Sequence, residues 1–380
     1  MDVLVFGGSF DPPHRGHLRL LRAAIALVKP ELAYLVPAYR SPLKEEALAG
    51  PAERLALTRL ALRESLSPRE RRAVRLEAFE LNRGRTTYTY ETLRMLRNRH
   101  PNARFYFVAG SDAFADFERW KNAAELRQAC RWLVARRPGA RLPGGRGFPD
   151  FKLVAGEFPD LSSSDIRSRF LAEVGASACL ERGVLARIRQ ERLYGFAIRD
   201  RLQSALSAER YRHSVCVAKR ALEFSKIHGM DCEKSALAGL LHDCGRALSA
   251  ARMAAFAKRR RLRVPRLKET ARREPLLLHA YVGEVLARER FGVRDGEVLS
   301  AIRKHTLGAE SMSPLDLLIY AADACSSDRR FPEAASIRRA ARADLGEGFR
   351  KALGMKLSYA RKRGSWIHPL GPRLWGASGA

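Results

Sequence analysis

Residues 3 to 28 leave this chain few ways to fold. Val3-Leu4-Val5-Phe6 is a short apolar run of the kind a buried parallel strand shows. Gly7-Gly8-Ser9-Phe10-Asp11-Pro12-Pro13-His14-Arg15-Gly16-His17 follows, and beyond it Leu18, Leu21, Ile25 and Val28 share one helical face. Strand, glycine turn and helix in that order open an alternating α/β unit. Glycines in such a turn let backbone approach a phosphate, and the helix start offers unpaired N–H groups and a positive dipole end. His14 and His17 are three apart and point the same way from the first helical turn. Two donors there suit the stabilisation of charge on a phosphate in transfer. Gly7, Gly8, Ser9 and Phe10 are therefore read as substrate-binding, and His14 and His17 as catalytic.

The pattern continues to about residue 195. Leu32–Val36, Val74–Leu76, Phe105–Ala109 and Trp132–Ala135 read as strands, and residues 53–66 as a helix. Arg40 and Lys44, after the second strand, are within reach of phosphates. Gly110 and Asp112 lie at the carboxyl end of the Phe105–Ala109 strand, where open α/β sheets keep their ligands. Thr89 opens a helix as a cap or a ligand hydroxyl, and Trp120 is placed to stack on a ring. Ser162-Ser163-Ser164-Asp165-Ile166-Arg167 is a second helix start suited to phosphate, with Arg167 able to fork onto a phosphate pair.

In combination these motifs resemble bacterial nicotinate-mononucleotide adenylyltransferases of the nucleotidyltransferase superfamily. Tyr88-Thr89, Arg137-Pro138-Gly139 and Leu193-Tyr194-Gly195 belong to the same likeness, which covers residues 1–195. It implies a Rossmann-like domain, a parallel sheet with helices on both faces, that joins nicotinate mononucleotide to the AMP part of ATP. It further implies that His14, His17 and Lys44 meet the ATP phosphates, with Arg167, Ser163, Ser164 and Ile166 around the β and γ phosphates. Gly110 and Asp112 would meet the ATP ribose, and Thr89 and Trp120 the nicotinate ring. The family's Pro-Pro-His-Lys loop reads Ser41-Pro42-Leu43-Lys44 here, so the loop keeps its lysine and lacks its histidine. The mononucleotide phosphate can attack the α-phosphorus in line, so the protein positions reactants and neutralises charge. Mg²⁺ is expected to travel with ATP rather than sit in a protein cage. Nicotinamide mononucleotide and phosphopantetheine are the rival acceptors.

From Phe196 strand-like runs nearly vanish. Helices are expected over 200–206, 210–228, 233–241, 249–261, 275–291, 294–305, 313–323, 333–344 and 347–363, making an all-α domain over 200–370 with a frayed tail over 371–380. His242-Asp243 closes the apolar Ala238-Gly239-Leu240-Leu241, and Asp323 closes Leu317–Ala322. Buried imidazole and carboxylate need a partner, and with His213, His279 and His305 they make a donor set for metal.

That set resembles the HD phosphohydrolase superfamily, and in detail the bacterial symmetrical diadenosine tetraphosphate hydrolases. The detail lies in Arg210-Tyr211-x-His213, Ala238–Cys244, Ala301-Ile302-Arg303-x-His305-Thr306-x-Gly308, Tyr320-Ala321-x-Asp323 and Trp366–Pro369. The resemblance implies that His213, His242, Asp243, His279, His305 and Asp323 hold two divalent metals, Fe²⁺ by likeness, with Mn²⁺ equally allowed by coordination chemistry. Asp243 would bridge them, and diadenosine tetraphosphate would yield two ADP. Arg246, Lys304 and Arg329 are candidate phosphate contacts. Gly245 departs from the family, which carries a side chain there. The rival is a helical domain acting as a nucleotide sensor or RNA-binding module.

The net charge of +29 favours polyanionic ligands by steering. Only 13 of the 70 basic residues are lysine and the arginines are spread along the chain, which argues against nucleic acid as the main partner. No apolar run reaches the roughly 18 residues of a membrane span. A start without a basic leader and six scattered cysteines lead us to expect a cytoplasmic protein. A homo-oligomer is left open.

Overall fold

The computed structural model describes residues 1–40, 49–137, 142 and 148–377. Lys44 and its loop, and Pro138-Gly139, lie outside the described residues. The chain divides into two compact units, Met1–Ile166 with Ala176–Tyr194, and Arg167–Gly175 with Gly195–Ala380.

In the first unit, six strands form one sheet: β1 (Asp2–Gly8), β2 (Leu32–Pro37), β3 (Val74–Leu76), β4 (Arg104–Gly110), β5 (Arg131–Ala135) and β6 (Phe151–Val154). Their order is β3-β2-β1-β4-β5-β6, and every pairing is parallel. Right-handed crossovers in the two directions from β1 place helices on both faces. The order reverses between β1 and β4, so a crevice opens beyond their carboxyl ends, at Gly8 and Gly110. Val3, Leu4 and Val5 are buried, as a central strand requires. The helices that bear on the site are α1 (Arg15–Val28), α2 (Pro51–Ser65), α3 (Thr89–Arg99) and α4 (Ser163–Leu171).

Sequence reasoning finds five of these strands and misses β6. That strand pairs only with β5 at the sheet edge, and Lys152 and Leu153 are both exposed, so it shows no buried pattern to detect. It also misses that Arg167–Gly175 packs in the second unit. Leu171 and Ala172 belong to the helical core, and Glu173 accepts hydrogen bonds from Arg199 and Tyr211 at 2.6 Å each.

The second unit is helical. Its site is built from α5 (Ala208–Ile227), α6 (Cys232–Leu241), α7 (His279–Phe291), α8 (Gly296–Lys304), α9 (Pro314–Ala324) and α10 (Leu345–Lys362). Ser207, Asp231, Asp295 and Ser313 accept first-turn N–H bonds at the starts of α5, α6, α8 and α9. At Gly239 a Cβ would stand 2.9 Å from Ala218 Cα, so glycine sets how closely α6 lies on α5. Gly245 is explained in the same way. A side chain there would collide with the His279 carbonyl, which carries the first residue of α7. Within the expected frayed tail, Leu370–Ala377 is a helix, α11, anchored by buried Leu374, and 378–380 lie outside the described residues. Its Gly-rich composition hid the one apolar anchor. No helix among the described residues is long and apolar enough to cross a membrane.

Candidate functional site

The first site lies where β1 runs into α1. His14 is the N-cap, and the two histidines cap each other. The His17 N–H donates to His14 Nδ1 at 3.4 Å, and the His14 N–H donates to His17 Nδ1 at 3.2 Å. The rings stack with centroids 3.6 Å apart. A ring nitrogen that accepts an N–H carries no proton, so each neutral imidazole holds its proton on Nε2. The pair therefore presents two Nε2–H donors, the polarity that phosphate chemistry needs. Two of the N–H groups in the first turn are already used: Arg15 N–H donates to the Cys179 carbonyl and His17 N–H is used in the cap.

Two of the glycines also have a packing role. A Cβ on Gly8 would lie 3.0 Å from the Phe10 ring, and one on Gly16 3.0 Å from the His14 imidazole. Both glycines make room for neighbouring side chains. The left-handed backbone falls on Phe10 itself, at φ 47°. Phe10 and Ile166 are buried, and the Ile166 N–H donates to the Ser162 carbonyl at 3.1 Å. A Cβ on Gly110 would meet the Asp112 carboxylate at 2.5 Å, and Asp112 pairs with Arg137 at 3.3 Å. Thr89 is not a cap: it follows Tyr88, whose N–H donates to Glu91 at 3.1 Å. Trp120 is half-buried, its ring against Phe107, Phe117 and Trp132.

In the serine turn, Ser162 caps the Asp165 N–H at 3.0 Å, and Ser163 Oγ donates to the Pro12 carbonyl at 3.0 Å. Ser164 Oγ lies 3.0 Å from Ser162 Oγ. Arg167 already has a carboxylate partner. In the second unit its Nε and Nη2 fork onto the Glu233 carboxylate at 2.9 and 2.6 Å.

Sequence reasoning missed Arg54, whose buried guanidinium joins the loops around this site, and Glu80, a buried carboxyl under α3 that accepts from Thr92 at 2.6 Å. Neither carries a motif; an arginine or a glutamate inside an apolar helical pattern was the one available signal.

The second site gathers all six expected donors. Three histidines follow one rule: each Nδ1–H donates to the carbonyl three residues back. His242 donates to Gly239 at 2.7 Å, His279 to Leu276 at 2.6 Å and His305 to Ile302 at 2.7 Å. Carbonyls only accept, so in the neutral rings each Nε2 carries a lone pair aimed inward. The His279 and His305 Nε2 atoms are 2.9 Å apart, and buried His242 Nε2 has no hydrogen-bond partner among the described residues. Thr306 Oγ1 lies 3.0 Å from both the His279 and the His305 Nε2, and its single hydroxyl proton can satisfy only one of the two facing lone pairs, so the pair suits a cation.

Carboxylates complete the arrangement. Asp243 Oδ1 lies 3.1 Å from His279 Nε2 and 3.8 Å from His305 Nε2, and its Oδ2 is 4.0 Å from His242 Nε2. Asp323 Oδ1 is 3.1 Å from His213 Nε2 and 4.0 Å from His242 Nε2. Two groups thus form, His213–His242–Asp243 and Asp243–His279–His305, with Asp243 common to both. This donor set could hold divalent metal ions. Sequence reasoning missed Asp328, which takes the His213 Nδ1–H at 2.8 Å and so orients that ring.

Burial disfavours charge on His242 and lowers its pKa to about 4. Burial also opposes protonation of His213, but its bonds to Asp323 and Asp328 outweigh that and raise it to about 9. Burial works against ionisation of Asp243 and Asp323, yet nearby imidazoles around the first, and Lys356, His213 and Arg329 around the second, hold both well below the usual carboxylate range. Lys304, expected near phosphate, instead donates to buried Asp316 at 2.6 Å. Arg246 and Arg329 lie against Asp243 and Asp323 at 3.4 and 2.7 Å.

A six-stranded parallel sheet with a histidine-capped turn at its switch point, followed by helices that converge four imidazoles and two carboxylates, defines a nucleotidyltransferase joined to an HD domain. Residues 5–169 match the cytidylyltransferase-like family and residues 210–328 the HD domain family. A Mycoplasma pneumoniae protein named probable nicotinate-nucleotide adenylyltransferase/Ap4A hydrolase is 28% identical over 84% of this chain and 87% of its own length. A Nitratiruptor protein named probable nicotinate-nucleotide adenylyltransferase is 31% identical, over 44% of this chain and 88% of its own. A solved Clostridium acetobutylicum structure, described as a predicted HD superfamily hydrolase involved in NAD metabolism, aligns with 48% of this chain and 95% of its own, at 30% identity and a TM-score of 0.45. The chain belongs to the nicotinate-nucleotide adenylyltransferase family, and it is an enzyme that continues into an HD domain.

Proposed function

We propose that the first unit transfers the adenylyl group of ATP to nicotinate mononucleotide, giving deamido-NAD and pyrophosphate, and that the HD unit hydrolyses diadenosine tetraphosphate to two ADP. The transferase reading is carried by the mutually capped His14–His17 pair at the sheet's switch point. Its two Nε2–H groups would donate to phosphate oxygens as negative charge grows on the departing pyrophosphate. An oxygen of the mononucleotide phosphate attacks the α-phosphorus as the bond to pyrophosphate breaks, so no covalent intermediate on the protein is needed. Mg²⁺ arrives with ATP. Ser163, Ser164, Gly110 and Asp112 frame the nucleotide, and Thr89 and Trp120 the nicotinate ring.

The hydrolase reading rests on the two donor groups that share Asp243. His213, His242, Asp243, His279, His305 and Asp323 would hold two divalent ions, iron or manganese. Such ions supply Lewis acidity toward a bridging phosphate and acidify an attacking water. The chain's own part is to aim the lone pairs of His242, His279 and His305 inward through fixed Nδ1–H bonds, to hold His213 against Asp323 and Asp328, and to keep Asp243 and Asp323 ionised. Arg246 and Arg329 add positive charge beside these carboxylates for a polyphosphate. Water adds across the central bridging P–O bond and two ADP leave.

The test is product identification with anaerobically purified protein. ATP with nicotinate mononucleotide should give deamido-NAD, and diadenosine tetraphosphate with Fe²⁺ or Mn²⁺ should give ADP alone. Activity with another acceptor and none with nicotinate mononucleotide would overturn the first assignment, and no hydrolysis with either metal the second.

A further inference from the structure

Arg54 is the most enclosed arginine or lysine among the described residues of the first unit, at 1% exposure, and no sequence motif draws attention to it. It sits in the first turns of α2, and its guanidinium is spent on backbone carbonyls. Nε donates to Ala49 at 3.1 Å, Nη1 to Ser9 at 2.9 Å and to Ala38 at 2.5 Å, and Nη2 to Tyr39 at 2.9 Å. These carbonyls come from three separate places. Ser9 lies in the turn between β1 and α1, Ala38 and Tyr39 follow β2, and Ala49 precedes α2. Asp11 reinforces the junction by accepting the Ala49 N–H at 3.2 Å, and the Ala38 N–H donates to Gly8 at 2.9 Å.

Four carbonyl oxygens gathered at the carboxyl edge of β1 and β2 make a negative potential where a triphosphate is to bind. A guanidinium among them cancels that potential. Its planar fork also fixes the spacing of the loops in a way a point charge cannot. Burying a cation is costly without compensation, and here its donors are matched by acceptors with Asp11 close by.

We propose that Arg54 is a positioning residue for adenylyl transfer: it holds the Ser9 turn and the Ala38–Tyr39 loop in the spacing, and at the potential, that ATP phosphates require. This rests on the transferase reading above. Arg54 reaches the reaction through Ser9, Ala38 and Tyr39, by hydrogen bonds to their backbone carbonyls.

The experiment compares wild type with Arg54→Met and Arg54→Lys in steady-state assays of deamido-NAD formation, varying ATP and nicotinate mononucleotide separately. Displacing the Ser9 turn and the Ala38–Tyr39 segment should raise KM for ATP on the order of 10- to 100-fold in Arg54→Met. KM for nicotinate mononucleotide at saturating ATP should stay within about twofold, since these two segments are what move. Lysine keeps the charge and loses the fork, so Arg54→Lys should fall between. A purely structural role would lower the active fraction, cutting kcat with both KM values unchanged, and that result overturns the proposal. If Arg54→Met does not fold, Arg54→Lys decides: a KM for ATP raised severalfold supports the proposal, and one equal to wild type refutes it. Wild type that forms no deamido-NAD would refute the transferase reading instead, so the two failures are distinct.

Discussion

Glu80 offers a perturbation whose size follows from the structure. Burial raises its carboxyl from the ordinary 4.5 to about 7, against the opposing hydrogen bond from Thr92. The folded protein therefore holds a proton between those values that the unfolded chain releases. Stability from this group is complete below pH 4.5 and is lost as pH rises through 7. The difference corresponds to about 3 kcal/mol at about 1.4 kcal/mol per tenfold. Glu80→Gln is a permanently neutral analogue that keeps an acceptor for Thr92, so it removes the pH dependence and little else. The assay is urea denaturation of both proteins at pH 4.5, 6, 7 and 8, followed by tryptophan emission, with buried Trp132 reporting on the sheet. The variant should match wild type near pH 4.5 and exceed it by about 3 kcal/mol at pH 8. A gap that is flat across the range, or one that opens toward acid, would refute the reasoning.

Three further outcomes follow. Asp328→Asn weakens the acceptor that orients His213, so Mn²⁺ affinity measured calorimetrically should fall on the order of 10- to 100-fold; unchanged affinity would remove Asp328 from the centre. If Arg167 meets a phosphate, it does so in exchange for Glu233, so Glu233→Gln should lower KM for ATP severalfold; an unchanged KM with a lower Tm would make the pair structural. The proposed ligand set implies close to two metal ions per chain by elemental analysis after anaerobic loading, and loss of the shared carboxylate in Asp243→Ala should remove binding at both positions. Retention of one full equivalent would rule out sharing.

Much of the fold was legible because strands β1, β2 and β4 are central, apolar and followed by glycine or proline. Edge strand β6 and helix α11 were not, since each has one buried side chain among the described ones to mark it. The two histidine sets were legible as positions and illegible as chemistry. Spacing brought His14 beside His17 and placed His242 at a helix end, yet it could not say which ring nitrogen bears the proton. The backbone settles that. In the first unit N–H groups bond Nδ1 and leave Nε2–H donors; in the second, carbonyls take Nδ1–H and leave Nε2 lone pairs. One set suits phosphate and the other metal. Arg54 and Asp328 act through atoms far away in sequence, at separations no local pattern records.

The most direct test of two separate chemistries in one chain is a crossed assay of His17→Ala and Asp243→Ala. The account predicts that His17→Ala loses deamido-NAD formation and keeps ADP release from diadenosine tetraphosphate, and that Asp243→Ala does the reverse. Loss of both activities in both folded variants, or of neither in either, would contradict it.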